Sequence, residues 1–381
     1  MISGQMNNVY IAGGLRSYIG LKNGIYKHIS AEMLGAELLK ELILRYSLNN
    51  TDKIICGNAV GAGGNITRLM SLSAGLDIPA VTIDSQCTSG LEAVKYAAAE
   101  IAAGFADCII CGGFESASTQ PIREYNPNHP DYASRNGNTR YMTAKFSPGE
   151  HCDDVMLKAA ENTSMYFNIS REDTYPFILN SHSKAAEARD KKLLNSIIYP
   201  YYNACADEGI RDRMNIKLLN RLHPVLPNGE YITAASSCLI NDGAAFLILC
   251  SEEFLTEHRL KPLAKIIGFS EVTVEPELSP YAAVKVCRSL RERYGITSEC
   301  YEVNEAFAVI DVLMQQSFKD MSGYNIFGGA LAYGHPYGAS GAIILLHLLR
   351  SLEYMGRRYG TAAAAAAGGL GCGILIERTV S

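Results

Sequence analysis

The fold is decided around the segment Asp84–Ser85–Gln86–Cys87–Thr88–Ser89–Gly90, which joins a predicted strand, Ala80–Ile83, to a predicted helix, Gly90–Ala103. Short apolar runs bounded by turn residues favour strands, whereas apolar residues spaced three and four apart favour helices. The pattern continues outward, with strands predicted at Val9–Ala12, Lys53–Cys56 and Ala106–Cys111 and a helix at Ser30–Tyr46. Alternating strands and helices predict an α/β fold in which helices cover sheets.

The C-terminal part of the chain repeats this arrangement. Strands are predicted at Ala244–Cys250 and Ala264–Ser270, and a helix at Ser279–Tyr294. Ser340–Gly341 then opens a helix as Ser89–Gly90 does, and Gly368–Gly369 follows the next strand as Gly112–Gly113 does. The echo is compatible with an internal duplication, although Ser-Gly pairs also recur by chance.

The middle of the chain has a different character. Residues 119–150 include Pro121, Pro127, Pro130 and Pro148 and predict a long irregular surface segment, which in compact proteins is often functional. A helix is predicted over Asp154–Phe167. Another begins at Ser170, which is typical of an N-cap because acidic residues follow in the first turn. Residues 197–235 are again rich in loops.

The composition excludes several classes of protein. The chain has 381 residues, of which 48% are hydrophobic and 19% charged, and its net charge is −5. This length predicts two or three domains or one large duplicated domain, and a disordered chain would have far fewer apolar residues. Because no Lys/Arg run occurs, we expect no nucleic-acid partner. Because no apolar stretch approaches the roughly 20 residues of a membrane span, we expect no membrane partner.

The cysteines indicate a reducing environment. There are eleven, an odd number, and the first fifteen residues lack the basic region that opens a signal peptide. We therefore expect reduced thiols and a cytoplasmic location. Cys108 and Cys111 have the Cys-x-x-Cys spacing of some metal and redox sites, but no second Cys/His pair follows at ligand spacing, so no metal site is predicted.

Cys87 is the first candidate catalytic residue because it lies at the start of a predicted helix. Backbone N–H groups and the positive end of the helix dipole favour a thiolate there, and such positions lower the pKa of a cysteine to about 3.5–7.5. A thiolate at this position would be a nucleophile for acyl groups. The alternative is a small buried apolar residue, which is what most free cysteines are.

Two further segments carry candidate residues. His335 lies among the glycines of Gly334–His335–Pro336–Tyr337–Gly338–Ala339–Ser340–Gly341, where a ligand could approach the backbone closely. Pro336 restricts His335 to extended conformations, so core filling explains this histidine poorly. Asn304 lies in Glu302–Val303–Asn304–Glu305–Ala306–Phe307–Ala308, where it could equally be the N-cap of a helix.

Taken together, Cys-x-Ser-Gly from Cys87, Asn-Glu-Ala-Phe-Ala from Asn304 and Gly-His-Pro-x-Gly-Ala-Ser-Gly from Gly334 resemble the thiolase family of acyl-CoA acyltransferases. The resemblance extends over nearly the whole chain. It includes Gly57–Asn58, Gly64–Asn65, Gly112–Ser116, Ala160–Asn162, Ser170–Glu172, Ser181–Ala185, Thr233–Ala234 and Asn241–Ala244.

The resemblance implies a thiolase fold, in which duplicated α/β halves stack in five layers, α-β-α-β-α, with an inserted loop domain that covers coenzyme A. The predicted N-terminal half comprises residues 1–117 and 239–262, the loop domain residues 118–238, and the C-terminal half residues 263–381. Thiolases form dimers or tetramers, so a homodimer or homotetramer is expected. The expected partner is an acyl-CoA substrate, with no other cofactor.

The family's roles carry over to the matching residues. The resemblance implies that Cys87 takes the acyl group as a thioester. His335 activates that cysteine and helps to hold the thioester oxygen of the second substrate, and Asn304 positions a water in the same oxyanion site. Backbone N–H groups of Cys87 and Ala367 would form the oxyanion site of the acyl-enzyme. The segment that lines the coenzyme A channel in the family is matched by Ala234, Ser237 and Cys238.

The sequence departs from the family at its second cysteine, the acid/base that removes and returns the α-proton of the nucleophilic acyl-CoA. Aligning the C-terminal glycines places Ala365 at this position, and a methyl group carries no transferable proton. Cys372 comes seven residues later, where the following strand is expected, and is not expected to substitute. General acid–base groups contribute about 10²–10⁴-fold to a rate, so the departure matters.

Several interpretations of Ala365 stay open. The position could be engineered and the enzyme impaired, as the alanine run Ala362–Ala367 suggests. His335 or a water could transfer the proton slowly. Alternatively, the protein could be a specialised acyltransferase or condensing enzyme of secondary metabolism. A non-catalytic coenzyme A-binding scaffold is a further alternative, against which Cys87 and His335 argue.

Two smaller departures lie near the nucleophile. Asp84 stands where the family usually has Asn, and its carboxylate could raise the pKa of Cys87 or cap the helix. Cys238 stands where the family usually has Ser, and would face the pantetheine channel or simply pack as a small residue.

Overall fold

The computed structural model describes residues 7–135, 137–148 and 152–379. The first part of the chain forms β1 (Val9–Arg16), β2 (Gly20–Leu21), α1 (Ala31–Tyr46), β3 (Lys53–Gly57), α2 (Ile66–Ser73), β4 (Ala80–Ile83), α3 (Ser89–Ala102) and β5 (Cys108–Ser116). The middle part forms β6 (Arg123–Glu124), α4 (Pro130–Ser134), β7 (Arg140–Tyr141), α5 (Val155–Tyr166), α6 (Arg171–Asp190) and α7 (Ile216–Leu219).

The chain then returns to the main sheet. Its remaining elements are β8 (Asn241–Ser251), α8 (Glu252–Glu257), β9 (Ala264–Thr273), α9 (Ala282–Tyr294), β10 (Cys300–Val303), α10 (Ala308–Ser317), α11 (Ala330–Tyr333), α12 (Tyr337–Met355), β11 (Tyr359–Ala366) and β12 (Leu370–Arg378). The long strands and helices predicted from the sequence are therefore present, with boundaries shifted by a few residues.

The order of the strands confirms the internal duplication. In the order β3-β5-β8-β1, the first pair is parallel and the next two pairs are antiparallel. The order β10-β11-β12-β9 repeats this pattern of directions. The helix before the second strand of each set is α3 in one half and α12 in the other. One feature was not predicted: Tyr10 and Ile11 of β1 pair with Lys265 and Ala264 of β9, which joins the two sets edge to edge.

The burial of alternate strand residues gives the predicted five layers. Leu34, Leu38 and Leu42 of α1 pack with outward-facing residues of the first sheet, such as Ile54. The next residue, Ile55, faces the other way and packs with α3, α12 and Ala364 of the second sheet. The opposite face of that second sheet packs against α9 and α10. The layers are thus α1 with α2, a sheet, α3 with α12, a sheet, and α9 with α10.

Three details of the prediction were wrong. Helix α12 begins at Tyr337 rather than at Ser340–Gly341. The helix predicted to begin at Ser279 is divided, because a 3₁₀ turn over Pro276–Tyr281 contains Pro280, which has no N–H to donate, and only then does α9 begin. The segment 119–150 was expected to be irregular, yet its described part holds the short pair β6–β7 and the helix α4.

The structure also shows where the cysteines lie and whether the described residues include a metal cluster or a membrane-spanning helix. All eleven cysteines are free thiols. Cys108 packs with α1 on one face of the sheet and Cys111 with α3 on the other, so this pair cannot act as one clamp. Over residues 7–135, 137–148 and 152–379, no cluster of side chains suits a metal ion. Within the same ranges, every helix is either too short or too polar to cross a membrane.

The two central helices, α3 and α12, cross at a pair of glycines. A Cβ atom placed on Gly90 would lie 3.1 Å from Cα of Gly341 and 2.9 Å from the carbonyl oxygen of Gly338. A Cβ atom on Gly341 would lie 2.7 Å from the carbonyl carbon of Gly90 and would also overlap the backbone N of Leu91. Because the obstacles are backbone atoms, a side chain at either position would push the helices apart. The Ser-Gly pair that occurs in both halves of the sequence lies at this crossing.

Replacing the glycine of α12 at this crossing tests its importance. In an open helix, Gly→Ala would stabilise by about 1 kcal/mol through helix propensity. For Gly341→Ala we instead expect a net loss of about 1–3 kcal/mol in the free energy of unfolding, because overpacking outweighs propensity. The measurement is urea denaturation followed by circular dichroism. Glu353→Ala, on the exposed side of the same helix, is the control and should change stability by less than about 0.5 kcal/mol. An unchanged or more stable Gly341→Ala protein would refute close packing at this point.

Candidate active site

Cys87 lies in a short 3₁₀ turn, Gln86–Thr88, directly before α3, and its side chain is buried. Gln86 has a φ of +56°, a left-handed conformation that is uncommon for a residue with a side chain. The Ser89 hydroxyl holds the turn because it accepts from the N–H of Ser85 at 2.9 Å and donates to the carbonyl oxygen of Gln86 at 2.6 Å. Strained turns that persist in this way are concentrated at functional sites.

The expectation that Cys87 is a thiolate at rest is wrong for the chain without substrate. Burial, with smaller contributions from the nearby carboxylates of Glu115 and Asp84, raises the pKa of the Cys87 thiol to about 12. A hydrogen bond from its own backbone N–H acts in the opposite direction but is outweighed. The expected effect of Asp84 on Cys87 is confirmed. Asp84 also accepts from the backbone N–H and the side-chain amide of Gln86, so it stabilises the turn as well.

His335 is held in a single orientation and tautomer. Its backbone N–H donates to the carbonyl oxygen of Leu239 at 3.0 Å and to Oδ1 of Asn241 at 3.1 Å. Its Nδ1 lies 2.6 Å from the Ser340 hydroxyl, which in turn donates its proton to the carbonyl oxygen of Pro336. Nδ1 therefore carries the imidazole proton, and Nε2 keeps its lone pair. Burial lowers the pKa of His335 to about 3, so the ring is neutral near pH 7.

Asn304 lies beside His335, as the resemblance implied. Its Nδ2 is 3.3 Å from Nε2 of His335, and its backbone N–H donates to the carbonyl oxygen of Ala363 in β11. Its Oδ1 is buried and has no hydrogen-bond partner within the described residues. The alternative role as an N-cap is wrong, because α10 begins only at Ala308 and Phe307 occupies the cap position. A buried amide oxygen left over in this way is suited to a ligand or a water.

Glu305 anchors the Asn304 loop to the middle of the chain. Its buried carboxylate accepts from the Ser181 hydroxyl at 2.6 Å and from Nδ2 of Asn325 at 2.8 Å. Ser181 in turn accepts from the backbone N–H of Gly329 at 3.1 Å. The segment around Ser181 therefore supports the Asn304 and His335 loops rather than contributing a catalytic group.

Cys238 and Ser237 run alongside the same loop. The backbone N–H of Cys238 donates to the carbonyl oxygen of Ala306 at 2.9 Å, and Ser237 forms a β-bridge with Phe307. The Ser237 hydroxyl donates to the carbonyl oxygen of Thr233 at 3.1 Å, within its own turn. Burial raises the pKa of the Cys238 thiol, and the neighbouring Cys87 adds to this rise. Cys87 and Cys238 therefore share one site.

Ala234, the third residue predicted for the coenzyme A channel, lines a cavity of about 480 Å³ together with Arg211, Arg213 and Met214. A second cavity of about 860 Å³ shares Arg211 and Met214 and adds Lys217. Asp212 also lines both cavities. These cavities combine apolar side chains with cationic groups, which suits a long ligand with an anionic end.

Tyr337 belongs to the site and was missed by the sequence analysis. Its ring packs edge-on against the His335 imidazole, with ring centroids 4.7 Å apart and planes at 65°. The pKa of Tyr337 is raised well above its usual value by burial and, to a smaller extent, by the nearby thiols of Cys87 and Cys238. Tyr337 is thus close to all three reactive side chains. Its place in the Gly-His-Pro-x-Gly segment was the only signal that the sequence offered.

Glu115 was also missed as a site residue, although it lies in one of the matching segments. Its buried carboxylate accepts from the backbone N–H groups of Ala59 at 2.9 Å and Gly338 at 3.0 Å, and from Nδ2 of Asn58 at 2.9 Å. Burial raises the pKa of Glu115 to about 7, against the effect of these hydrogen bonds. Glu115 therefore ties the start of α12 to the N-terminal half.

The C-terminal hairpin brings Ala365 and Ala367 towards the nucleophile. Strand β11 contacts the turn that carries Cys87. Ala365 is buried and pairs with Gly371, on the sheet face that packs against α9 and α10. Ala367 follows directly after β11, at the start of the turn to β12. Cys372 lies on the following strand, β12, as predicted, and faces the opposite side of the sheet from Ala365, where it contacts Glu92.

The pH dependence of Cys87 alkylation tests whether this thiol is neutral at rest. Because its pKa is about 12, the thiolate fraction should still be rising at the highest accessible pH. We expect the rate of iodoacetamide labelling at Cys87, followed by peptide mass spectrometry, to keep climbing from about pH 8 to pH 10. Labelling of the exposed Cys205 in the same sample controls for the reagent. A titration of Cys87 that is complete below about pH 8 would contradict this assignment.

Comparisons with known proteins agree with this geometry. The model of the thiolase N-terminal domain matches residues 9–253, and that of the thiolase C-terminal domain matches residues 260–378. The chain is 36% identical over 382 residues to YhfS of Bacillus subtilis, provisionally named an acetyl-CoA C-acetyltransferase, with 97% of this chain and 99% of that protein covered. It is 32% identical to a Staphylococcus aureus protein provisionally named an acetyl-CoA acyltransferase, covering 91% of this chain and 93% of that protein.

Solved structures show the same similarity. The Bacillus anthracis acetyl-CoA acetyltransferase has a TM-score of 0.88 at 27% identity, covering 99% of this chain and 100% of that one. Human mitochondrial 3-ketoacyl-CoA thiolase in complex with CoA has a TM-score of 0.89 at 27% identity, covering 99% of each chain. Because the two family models together span almost the whole chain, the protein belongs to the thiolase family.

Proposed function

We propose that the protein is an acyl-CoA acyltransferase of the thiolase type, acting through an acyl-Cys87 intermediate in Claisen condensation or its reverse, thiolysis. The observation that carries the proposal is the buried pair of Asn304 and His335 beside the Cys87 turn, with Nε2 of His335 unprotonated and Oδ1 of Asn304 unpartnered within the described residues. The names of relatives in the thiolase family agree with this activity.

In the first half-reaction Cys87 attacks the carbonyl carbon of the acyl-CoA. Both the thiol and the imidazole are neutral at rest, so the nucleophile forms when Cys87 passes its proton to Nε2 of His335. The Ser340 hydroxyl keeps Nδ1 of His335 protonated, so that Nε2 is the nitrogen that can accept the proton. The C–S bond to CoA then breaks, and the backbone N–H groups of Cys87 and Ala367 are proposed to stabilise the oxyanion.

In the second half-reaction a second acyl-CoA loses an α-proton and attacks the acyl-enzyme. Negative charge develops on its thioester oxygen, where the N–H that His335 Nε2 has gained can donate. Asn304 Oδ1 is available to hold a water that supplies the second donor. Donors fixed in a buried site stabilise such charge far better than bulk water does.

Coenzyme A itself is proposed to occupy the cavities next to Ala234. Arg211, Arg213 and Lys217 would face its phosphates, and Met214 its apolar parts. From Ala234 the turn at Thr233 leads through Ser237 to Cys238, next to the nucleophile. The pantetheine arm is proposed to follow this segment into the site.

We further propose a homodimer or homotetramer in the cytoplasm. Strand β4 lies at one end of the sheet, and the adjacent α2 exposes Leu69 and Leu72. An open sheet edge beside exposed apolar side chains is suited to pairing with a second copy. Light scattering coupled to size-exclusion chromatography measures the oligomeric state.

Formation of the acyl-enzyme tests the proposed function. After incubation with acetyl-CoA, intact-mass and peptide mass spectrometry should find one acetyl group on Cys87. The same treatment of Cys87→Ala should leave that peptide unmodified, which controls for labelling of the other cysteines. Absence of the adduct from the wild-type protein, under conditions in which CoA binds, would refute the proposal.

Asn304→Ala tests the second oxyanion site. Loss of one oxyanion donor costs about 10²–10³-fold in turnover, so acetoacetyl-CoA formation should fall by that factor. Acetylation of Cys87 should fall much less, because Asn304 is proposed to act on the second substrate. Measuring both rates on one preparation separates this role from misfolding. Equal losses in the two rates would contradict it.

One observation favours a second candidate function. The resemblance aligns the methyl group of Ala365 with the family's acid/base cysteine, which favours a specialised acyltransferase or condensing enzyme whose acceptor needs no carbon deprotonation. Incubation with acetyl-CoA alone distinguishes the two: acetoacetyl-CoA accumulates if the protein is a thiolase, whereas acetyl-Cys87 persists without turnover if it is not.

A further inference from the structure

Ala365 cannot transfer a proton, but the site contains a second thiol, that of Cys238. Ala365 belongs to the apolar cluster formed by β11, α9 and α10, and Cys238 packs against that same cluster. Cys238 is half-buried, whereas Cys372 lies on the far side of the sheet. Among the cysteines, Cys238 is thus the one placed near both Cys87 and the cluster that contains Ala365.

Backbone hydrogen bonds fix Cys238 between the two loops that carry the other catalytic groups. Its own N–H donates to Ala306, two residues after Asn304. The carbonyl oxygen of the next residue, Leu239, accepts from the N–H of His335 at 3.0 Å. Ile240 then forms a parallel β-bridge with His335. A thiol on this segment is therefore held as firmly as Asn304 and His335 themselves.

Two independent observations indicate that a substrate group would meet this thiol. Oδ1 of Asn304 is buried and without a partner in the described residues, which indicates a ligand or water at the Asn304 loop, and the carbonyl oxygen of Ala306 in that same loop accepts from the N–H of Cys238. Tyr337, whose ring lies 4.7 Å from that of His335 between centroids, has a pKa raised mainly by burial and in part by the thiols of Cys87 and Cys238, so these groups are neighbours. The space between these groups is where the second acyl-CoA must bring its α-carbon to reach an acyl group on Cys87.

Building on the proposed function, we propose that Cys238 is the acid/base of this enzyme and moves the proton that a cysteine at position 365 moves in other members of the family. In the first half-reaction the S–H of Cys238 protonates the CoA sulfur as its bond to the acyl carbon breaks. Cys238 is left as the thiolate, and His335 holds the proton from Cys87.

The second half-reaction returns Cys238 to the thiol and His335 to the neutral imidazole. The Cys238 thiolate takes the α-proton of the second acyl-CoA, and the C–H electron pair forms the new carbon–carbon bond to the acyl carbon on Cys87. The bond from that carbon to the Cys87 sulfur then breaks, and His335 returns its proton to the sulfur. Both thiols and the imidazole end as they began, so no outside oxidant, reductant or base is needed.

Two other titratable groups near Cys87, His335 and Glu115, are committed elsewhere. Nε2 of His335 serves Cys87 and the thioester oxygen, and its Nδ1 is bound to Ser340. Glu115 is occupied by N–H donors from Ala59 and Gly338. The pKa of Cys238 is raised mainly by burial, which suits its first step, in which it must be a thiol.

The experiment compares the wild-type protein with Cys238→Ser, which keeps the size and polarity of the side chain but removes the thiol. Three rates are measured: acetylation of Cys87, formation of acetoacetyl-CoA, and wash-out of deuterium from CD₃-labelled acetyl-CoA into ordinary water. We expect condensation and wash-out to fall by about 10²–10⁴-fold, the usual contribution of an acid/base. Acetylation of Cys87 should fall far less, because the CoA sulfur can also leave as a thiolate, whereas the α-proton cannot be removed without a base. Retained acetylation also shows that the variant is folded.

A second variant tests whether a thiol at position 365, where the family has its cysteine, restores the activity lost in Cys238→Ser. In the Cys238→Ser/Ala365→Cys variant, condensation and wash-out should recover by at least tenfold over Cys238→Ser. The proposal is overturned if Cys238→Ser condenses at the wild-type rate, or if acetylation and condensation fall by the same factor. A wild-type protein that never acetylates Cys87 refutes the proposed function instead, so the two failures are distinguishable.

Discussion

The close crossing of α3 and α12 is the constraint on which the active site depends. Gly90 and Gly341 meet backbone to backbone, so the helices cross near their N-terminal ends. Cys87 lies three residues before the first glycine, and His335 six residues before the second. Bringing the helix starts together therefore brings together Cys87 and His335, the proposed nucleophile and its base. Gly338 adds to this constraint, since its backbone packs directly on Gly57 and bonds to Glu115.

Burial then determines how the chemistry can begin. The same enclosure that aligns Cys87 and His335 raises the pKa of the thiol and lowers that of the imidazole, so neither is charged at rest. A permanent thiolate–imidazolium pair would have to overcome the cost of two buried charges. A neutral pair avoids that cost, and in the proposed mechanism the proton moves only when the acyl group arrives. Ser340 and Asn304 support this arrangement because they fix which nitrogen of His335 is free.

Much of the fold and part of the site could be predicted from the sequence. Cys87, Asn304 and His335 lie in local motifs, and alternation of apolar residues predicts the strands. The errors arose where the outcome depends on distant residues. The charge state of Cys87 depends on burial beneath α12 and on Glu115, which local helix-start rules ignore. Likewise, the pairing of β1 with β9 and the place of Tyr337 follow from how the halves meet, which no local pattern encodes.

The alanine run of β11 can be explained by packing. This strand lies between β10 and β12, with α12 on one face and α9 and α10 on the other, so small side chains let both helix layers approach it. Asn304 is anchored to β11 through the backbone of Ala363, and Cys238 is anchored to the Asn304 loop through the backbone of Ala306. Because main-chain bonds hold these segments, the fold does not depend on which of them carries the second thiol. A proton-transfer group can therefore change position within the site while Cys87, Asn304 and His335 keep their places.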